Sequence, residues 1–361
     1  IHDNERAISD WQWEHGGPRR FEPAGEDAPS VAVVGSGPAG LVAAWDLARR
    51  GARVCVVERY DRAGGLLMYG IPNMKLDKSV VQRRVDLMAE LGIEFRLGVD
   101  AADSAVAAAL ANEFDAVVVA AGACQARGVN AEGFDAGLAS GDVVYAVDYL
   151  GEQTRALLEG REPAITAAGK DVVVIGGGDT GNDCMGTAVR QGARTVRQLE
   201  YGPCAPEERA ASNAWPEWPN VKKTDYGQEE AAVLQGADLR EWCADTQKVL
   251  LDEAGHVHGL QVRTFDWSAG KPQAVEGSER EIDAQLVLVA CGFAGPERGV
   301  FDAFGVPLAT QGRALPVMVG SGKSHRALRA DGAAGSAAIY AAGDARNGSS
   351  LVVNAMADAL K

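Results

Sequence analysis

Two glycine-rich loops constrain the fold more than any other feature of the sequence. Each follows a short apolar run and precedes a helix-like stretch: "VAVVGSGPAGLV" starts at residue 31 and "VVVIGGGDTGND" at residue 172. A G-x-G-x-x-G loop between a strand and a helix is typical of the βαβ unit that binds a dinucleotide. Two such loops, about 140 residues apart, predict an α/β protein with two Rossmann-like domains and two bound dinucleotides.

The first loop has the parts that dinucleotide binding requires. Gly35 allows the tight turn, Gly37 lets a pyrophosphate approach the backbone, and Gly40 lets the helix pack closely on the strand. Glu58 follows Gly35 by 23 residues, where an acid accepts hydrogen bonds from a ribose. The predicted elements are a strand, a helix and a strand at residues 31–35, 38–50 and 53–58.

The second loop repeats this plan. Gly176, Gly178 and Gly181 take the three glycine positions, and Glu200 follows Gly176 by 24 residues. We interpret one loop as the FAD site and the other as the site of a nicotinamide nucleotide; the alternative is that one copy has lost its ligand. The predicted elements are a strand, a helix and a strand at residues 171–175, 180–191 and 194–200.

Glu200 favours NADH over NADPH. An acid at this position accepts hydrogen bonds from the 2′-hydroxyl of NADH and repels the 2′-phosphate of NADPH. Arg194 and Arg197 are close in sequence and are candidates for a phosphate contact. By strand alternation, however, Arg197 and Glu200 face opposite sides.

Two further strand-like runs each end in a glycine. They are "FDAVVVAAGA" at 114–123 and "AQLVLVACGF" at 284–293. If one domain is inserted into the other, these strands bring the chain close to where the domains meet, with Gly122 and Gly292 as flexible points. The alternative is that both are core strands without a role in cofactor binding.

A last strand and helix are predicted near the C-terminal end, in "AAIYAAGDARNGSSLVVNA" at 337–355. The strand ends in Gly343 and Asp344, and Ser349 or Ser350 is expected to cap the helix. We expect Asp344 to be buried and to bind a ribityl or ribose hydroxyl, and the helix N-terminus to stabilise charge on a reduced flavin. The alternative is a solvated aspartate that caps the helix.

Composition excludes several functions. With 35 basic and 50 acidic residues the net charge is −15, which disfavours nucleic acid and anionic membranes as partners. No apolar run approaches the ~20 residues of a membrane span, so a cytoplasmic protein is expected. The six cysteines occur singly, without the CxxC pairs typical of zinc sites, iron–sulfur sites or disulfide reductases.

Five longer motifs are more restrictive than a glycine loop and together extend over almost the whole chain. Through them the sequence resembles the small (beta) subunit of glutamate synthase and the related reductase modules of dihydropyrimidine dehydrogenase. The motifs are "VVGSGPAGLVAAWDLARRGARVCVVERYDRAGGLLMYGIPNMKLDK" at 33–78, "GGGDTGNDC" at 176–184, "APEERAASNAWPEWPNV" at 205–221, "DYGQEE" at 225–230 and "AAGDARNGSSLVV" at 341–353.

The resemblance implies an oxidoreductase in which NADH or NADPH reduces FAD. Electrons then pass through iron–sulfur clusters to the glutamate synthase large (alpha) subunit, which makes glutamate from 2-oxoglutarate and glutamine. In the family these clusters lie in a cysteine-rich N-terminal domain that this sequence lacks, so the chain is expected to be a fragment or to have a different electron exit. The alternatives are a stand-alone NAD(P)H oxidoreductase for another acceptor and a non-catalytic dinucleotide-binding module.

The resemblance also implies domains and site residues. Residues 1–29 form a lead-in segment, 30–165 and 294–361 an FAD-binding domain, and 166–293 an inserted NAD(P)H-binding domain. No catalytic side chain and no metal site are expected, since hydride passes directly between cofactors. The expected cofactor-binding residues are Gly35, Gly37, Pro38, Ala39, Gly40, Glu58, Arg59, Gly65, Leu66, Gly122, Gly176, Gly178, Asp179, Thr180, Gly181, Glu200, Gly343, Asp344, Ser350, Leu351 and Val352.

The segment "WPEWP" contains two tryptophans, Trp215 and Trp218. We expect them to be core or domain-interface aromatic residues. The alternative is that this segment covers the nucleotide or contacts the large subunit.

Overall fold

The structure is a computed structural model that describes residues 2–217, 219–309, 316–319, 322–329 and 335–361. Its helices are α1 (His2–Glu14), α2 (Pro38–Arg49), α3 (Leu66–Tyr69), α4 (Lys78–Glu90), α5 (Ser104–Glu113), α6 (Phe134–Ser140), α7 (Ala146–Glu159), α8 (Asp179–Arg190), α9 (Tyr226–Gln235), α10 (Arg298–Ala303), α11 (Asp344–Asn347) and α12 (Val352–Ala359). Its strands are β1 (Ser30–Val34), β2 (Arg53–Glu58), β3 (Glu94–Leu97), β4 (Ala116–Val119), β5 (Gln125–Ala126), β6 (Val143–Tyr145), β7 (Asp171–Ile175), β8 (Thr195–Leu199), β9 (Arg240–Glu241), β10 (Ala244–Leu251), β11 (Val257–Asp266), β12 (Gln273–Ala274), β13 (Arg280–Asp283), β14 (Leu286–Val289), β15 (Phe293–Gly295), β16 (Pro316–Val319), β17 (Gly322–Ala327) and β18 (Ala338–Ala341).

The chain folds into two compact units, and most of the second is inserted into the sequence of the first. The first unit consists of Ile1–Gly64, Gln82–Gly122 and Pro296–Lys361. The second consists of Gly65–Val81 and Ala123–Gly295. Each unit contains one of the two glycine loops, which confirms the prediction of two Rossmann-like domains.

The second unit is larger than the domain expected at 166–293, because it also takes residues 65–81, 123–165 and 294–295. The short strand β6 pairs in parallel with β14, and the helix α7 that follows it contributes fully buried Tyr149 and Leu150 to the same core as Val172. A strand of three residues shows too little periodicity in sequence to be assigned to a sheet. Which cofactor each unit binds stays a prediction.

The first unit is built on a sheet with five parallel strands in the order β18-β4-β1-β2-β3, continued beyond β18 by antiparallel β17 and β16. β1 lies near the middle, and its last residue, Val34, pairs with Val57 on one side and Val119 on the other. All five β1 residues are buried because apolar clusters cover both faces of the sheet. This explains the unbroken apolar run before the first glycine loop.

The second unit has the same parallel plan, in the order β6-β14-β7-β8-β9. β7 is central, and its last residue, Ile175, pairs with Leu199 and Val289. One face packs on helix residues that include Met185, and the other packs on the antiparallel strands β10, β11 and β13. Both glycine loops therefore leave the carboxyl end of a central parallel strand, where open α/β sheets bind their ligands.

The strands that end in Gly122 and Gly292 are followed by a small ribbon. β5 and β15 pair antiparallel, with Gln125 opposite Gly295. The chain passes from the first unit to the second directly after Gly122, and returns three residues after Gly292, between Gly295 and Pro296. The positions that the sequence analysis placed near the domain junction therefore lie where the chain changes units.

No helix within the described ranges is long and apolar enough to cross a membrane. Within the same ranges, no group of three or more histidine, cysteine or acidic side chains is arranged to hold a metal ion.

Candidate functional site: two dinucleotide loops

The first glycine loop is shaped by three different steric requirements. Gly35 has φ +100°, and a Cβ there would stand 2.6 Å from the carbonyl oxygen of Ala120, the residue directly after the neighbouring strand β4. A Cβ at Gly40 would overlap the carbonyl oxygen of Gly35, so the helix packs on the turn only without a side chain. At Gly37 a Cβ would meet nothing within 4 Å. The backbone of Gly37 is therefore open to a ligand.

The second loop meets the same requirements at the same positions. Gly176 has φ +116°, and a Cβ there would overlap the carbonyl oxygen of Ala290. A Cβ at Gly181 would stand 2.5 Å from the carbonyl oxygen of Gly176, and one at Gly178 would meet nothing within 4 Å. Both loops are thus closed against their own sheet and open at the second glycine, as a pyrophosphate site requires.

The helices that follow supply free backbone donors. Pro38 and Ala39 open α2, and Asp179 and Thr180 open α8. Neither helix has a side-chain hydrogen bond at its N-cap. The first N–H groups of both helices are available to an anion, and the helix dipole favours one there.

Glu58 lies where the sequence analysis placed it, but it is also part of the loop. It is 5% exposed. One carboxylate oxygen accepts hydrogen bonds from the Ser36 hydroxyl at 2.6 Å and the Ser36 N–H at 3.0 Å, and the other accepts the Tyr60 N–H at 3.0 Å. The Ser36 hydroxyl also accepts the Gly64 N–H at 2.9 Å. Ser36, which was not predicted as a site residue, ties the glycine loop to the chain after β2.

Glu200 lies against the second loop without such a serine. A Cβ at Gly177 would stand 2.5 Å from Glu200 Oε1 and closer still to the other carboxylate atoms. Burial raises the pKa of Glu200, while nearby Arg240 and the Trp242 side chain oppose this rise. The carboxylate of Glu200 therefore occupies the space directly beside the glycine loop.

The two arginines considered for a phosphate contact are both engaged elsewhere. Arg194 Nε donates to Asp171 at 2.9 Å, and the guanidinium of Arg197 pairs with Glu241. Glu241 also accepts from Arg280. The strand alternation that separates Arg197 from Glu200 is consistent with these partners.

A buried polar network that was not predicted from the sequence supports the second loop. Gln198 is fully buried; its amide nitrogen donates to the Gly176 carbonyl at 2.8 Å, and its amide oxygen accepts from Gln228 at 3.0 Å. Asn182 accepts the backbone N–H groups of Gly227 at 2.9 Å and Gln228 at 3.2 Å. The signal was the motif "DYGQEE", which contains Gln228, together with a glutamine inside a buried strand, where it must find a partner.

Gly122 and Gly292 have equivalent conformations, each with φ +74°. They lie two residues beyond Ala120 and Ala290, whose N–H groups donate at 2.8 Å to the last residues of β1 and β7. They therefore follow the strands that border the two glycine loops, and their shared pattern reflects the repeated plan of the units.

The prediction for the C-terminal turn was partly wrong. Asp344 is half-buried and accepts a hydrogen bond from the Ser350 hydroxyl at 2.6 Å. Neither Ser349 nor Ser350 caps the helix, because α12 starts at Val352 with Leu351 at its N-cap and no side-chain cap. Instead of capping α12, the hydroxyl of Ser350 donates to Asp344.

The buried acid of this region is Asp358, which the sequence analysis did not single out. It is 5% exposed and accepts the Gly343 N–H at 2.9 Å, Arg346 at 2.8 Å and His325 at 3.2 Å. Burial alone would raise the pKa of Asp358, but the Asn347 side chain, the Gly343 N–H and the nearby Arg346 and His325 hold it below its usual value. Asp358 fixes the Gly343 turn in place of Asp344.

The remaining predicted flavin residues have mixed surroundings. Arg59 pairs with Glu297 at 2.6 Å. Gly65, with φ +54°, is the N-cap of the one-turn helix α3, whose first residue is Leu66. Leu351 and Val352 are 62% and 45% exposed at the start of α12. The start of α12 therefore presents exposed apolar side chains beside N–H groups without a side-chain cap.

Trp215 is 83% exposed, so its prediction as a core residue was wrong. Trp218 lies outside the described residues. All six cysteines lie within the described part of the chain, and none of them forms a disulfide.

Comparison with known proteins places these loops in a family. The profile of a family described as pyridine nucleotide-disulphide oxidoreductase matches residues 29–217. Among solved structures, Mycobacterium tuberculosis FprA in complex with NADPH has a TM-score of 0.64 at 19% identity, over 92% of this chain and 82% of FprA. T. acidophilum thioredoxin reductase has a TM-score of 0.58 at 19% identity, over 91% of this chain and 94% of the reductase. At these identities the similarity concerns the fold alone.

Two curated relatives are more similar in sequence. The glutamate synthase [NADH] of Schizosaccharomyces pombe is 41% identical over 97% of this chain, which spans only 16% of that protein. The glutamate synthase [NADPH] small chain of Bacillus subtilis is 40% identical over 98% of this chain and 70% of its own length. With this identity over nearly its whole length and a family profile over half of it, the chain belongs to the glutamate synthase small-chain family of pyridine nucleotide-disulphide oxidoreductases.

Proposed function

We propose that this chain is the NAD(P)H-oxidising, FAD-containing part of a glutamate synthase. The observation that carries the proposal is the repeated construction of the two loops, each closed against its own sheet and open at its second glycine, Gly37 or Gly178. Two sites of this construction suit two dinucleotides. A reductase that moves electrons from one dinucleotide to another needs both.

We assign FAD to the first unit. Its loop offers the backbone of Gly37 and the free N–H groups of α2 to the pyrophosphate. Glu58 has one carboxylate oxygen with a single hydrogen bond, which leaves that oxygen able to accept another from a ribose hydroxyl. The exposed, uncapped start of α12 at Leu351 and Val352 is the proposed contact for the flavin ring.

We assign the nicotinamide nucleotide to the second unit, with NADH favoured over NADPH. Glu200 stands beside the loop with its carboxylate against Gly177, and Arg194 and Arg197 are held in ion pairs. A 2′-phosphate would meet a carboxylate there, whereas a 2′-hydroxyl would find an acceptor. The curated relatives include proteins named for either nucleotide, so this preference depends on the residues of this chain.

The chain's own part in the reaction is binding and orientation. Hydride transfer from nicotinamide to flavin is chemistry that the cofactors supply. The glycine loops fix the two pyrophosphates, Glu58 and Glu200 fix the riboses, and α12 offers partial positive charge to the flavin. We further propose that the electrons pass to a glutamate synthase large subunit, which forms glutamate from 2-oxoglutarate and glutamine.

The experiment is a visible spectrum of the purified chain supplied with FAD, followed by anaerobic titration with NADH and separately with NADPH. We expect flavin absorption bands that are bleached preferentially by NADH. A chain that takes up no flavin contradicts the reductase proposal and favours a binding module. A chain bleached by NADH that supports no glutamate formation with a large subunit favours a different electron acceptor.

A further inference from the structure

The position of Gly177 in the second loop is more restrictive than the three glycines of the fingerprint suggest. Gly177 lies between the first and second fingerprint glycines, where the motif places no requirement. A Cβ on Gly177 would stand 2.5 Å from Glu200 Oε1 and would overlap Glu200 Cδ and Oε2. No other atoms are among its nearest neighbours. The missing side chain of Gly177 therefore makes room for one group, the carboxylate of Glu200.

The first loop has a different solution at the same position. Ser36 lies between Gly35 and Gly37, and its hydroxyl and N–H both donate to Glu58. In the first loop Ser36 therefore holds Glu58 through two hydrogen bonds, which occupy two acceptor positions of the Glu58 carboxylate. In the second loop the residue at this position donates no side-chain hydrogen bond, and the carboxylate of Glu200 lies directly against the backbone.

Two residues near Glu200 favour its charged form, although burial raises its pKa. Arg240 lies near enough to favour its charged form, and the Trp242 side chain contributes in the same sense. Arg240 is itself buried and is bound to Asp238, with Arg240 Nη2 at 2.7 Å from Asp238 Oδ2. The carboxylate of Glu200 thus lies against a glycine that leaves room for it, and a nearby cation held by its own partners favours its negative charge.

We propose that Gly177 is a positioning residue for nucleotide selectivity: it lets the Glu200 carboxylate lie beside the loop, where it accepts the 2′-hydroxyl of NADH and excludes a 2′-phosphate. The inference rests on the proposed function, because it concerns the adenosine ribose of the same nucleotide. It assigns to Gly177 a role that acts only through Glu200.

The test is the affinity of the FAD-loaded chain for NAD⁺ and NADP⁺, measured by isothermal titration calorimetry without turnover. Gly177→Ala adds one methyl group, which displaces the flexible end of the Glu200 side chain. The backbone of Gly177 does not have a positive φ, so alanine is tolerated there without backbone strain. We expect the preference for NAD⁺ over NADP⁺ to fall about tenfold, close to the effect of Glu200→Gln. Circular dichroism and flavin content check that each variant is folded.

A matched control and a double variant separate positioning from general damage to the loop. Gly178→Ala places its methyl group in open space, on the face that we assign to the pyrophosphate, so it should weaken both nucleotides equally and leave their ratio unchanged. In the Glu200→Gln background, Gly177→Ala should have little further effect on the ratio, because its only target is already altered.

Either of two results overturns the inference. One is an unchanged ratio of NAD⁺ to NADP⁺ affinity in Gly177→Ala. The other is that Gly177→Ala lowers this ratio by the same factor in the parent chain and in the Glu200→Gln background. If the parent chain binds neither nucleotide, the proposed function fails first and this inference fails with it. A parent chain that binds NAD⁺ but shows no effect of Gly177→Ala contradicts the inference alone.

Discussion

At the scale of single residues, glycines of the same motif have different physical roles. The carbonyl oxygen of Gly35 leaves no room for a side chain at Gly40, whereas a side chain at Gly37 would extend into open space. The first constraint belongs to folding and the second to ligand binding. Sequence alone marks both positions as glycine and does not distinguish the two roles.

This difference predicts opposite outcomes for two alanine variants. Gly40→Ala forces a methyl group into the backbone of the turn, so we expect a loss of about 1–3 kcal/mol in stability. Gly37→Ala, at φ −65°, should leave thermal stability of the apoprotein unchanged but reduce FAD affinity. Differential scanning calorimetry measures the stability of the two variants, and flavin titration measures their affinity for FAD. Equal melting temperatures for the two variants would contradict the steric argument.

Ser36 carries a second prediction at this scale. Its hydroxyl is fully buried, donates to Glu58 at 2.6 Å and accepts the Gly64 N–H at 2.9 Å. Ser36→Ala leaves that N–H buried without an acceptor, which costs about 1–3 kcal/mol. We expect a lower urea midpoint than for the exposed control Ser104→Ala. If both variants unfold at the same urea concentration, the bridge does not stabilise the loop.

At the scale of secondary-structure elements, the short helix α3 is held by a buried lysine. Lys78 is 4% exposed, and its ammonium donates to the carbonyl oxygens of Leu67 at 2.9 Å and Ile71 at 2.5 Å. Burial lowers the pKa of Lys78 from 10.5 to about 8, although Asp77 and Asp183 favour its charged form. The lysine therefore stabilises α3 and its C-terminal end at the expense of burying a charge.

This arrangement predicts a specific pH dependence of stability. Between pH 8 and 10.5 the unfolded chain holds a proton on Lys78 that the folded chain releases, so stability from this group rises with pH. Relative to Lys78→Met, the parent chain should gain up to about 3 kcal/mol across this range. Urea denaturation at pH 7 to 10 measures the difference. A constant difference would mean that the two carbonyl oxygens keep the lysine charged, and exposed Lys271→Met is the control.

Secondary structure near the two loops was predicted closely. β2 and β7 have the predicted bounds, and β1 and α8 differ from them by one residue. These elements follow from local signals, namely valine-rich apolar runs in the strands and glycine turns beside the strands and helices. The cap of α12 was mispredicted because a serine hydroxyl can bond either to a helix N-terminus or to a nearby carboxylate. Sequence does not show which of the two partners lies within reach.

At the scale of the whole molecule, the two loops belong to separate units with separate cores. Their ligand affinities should therefore respond independently to local changes. We expect Gly178→Ala to weaken NAD⁺ binding without loss of FAD, and Gly37→Ala to reduce FAD content while NAD⁺ affinity is kept. Flavin stoichiometry and calorimetry on the same samples measure both quantities. Loss of both ligands in either variant would contradict independent sites.

The sequence by itself determined the α/β class, the two loops and the acids that follow them, because glycine positions and apolar runs report local backbone geometry directly. Only the tertiary structure decided the extent of the second unit, which depends on the pairing of β6 with distant β14. It alone selected Asp358 over Asp344 as the buried acid of the Gly343 turn. It also set the approach of Glu200 to Gly177. These features arise from contacts between residues far apart in the chain, and local sequence patterns carry no record of which distant groups meet.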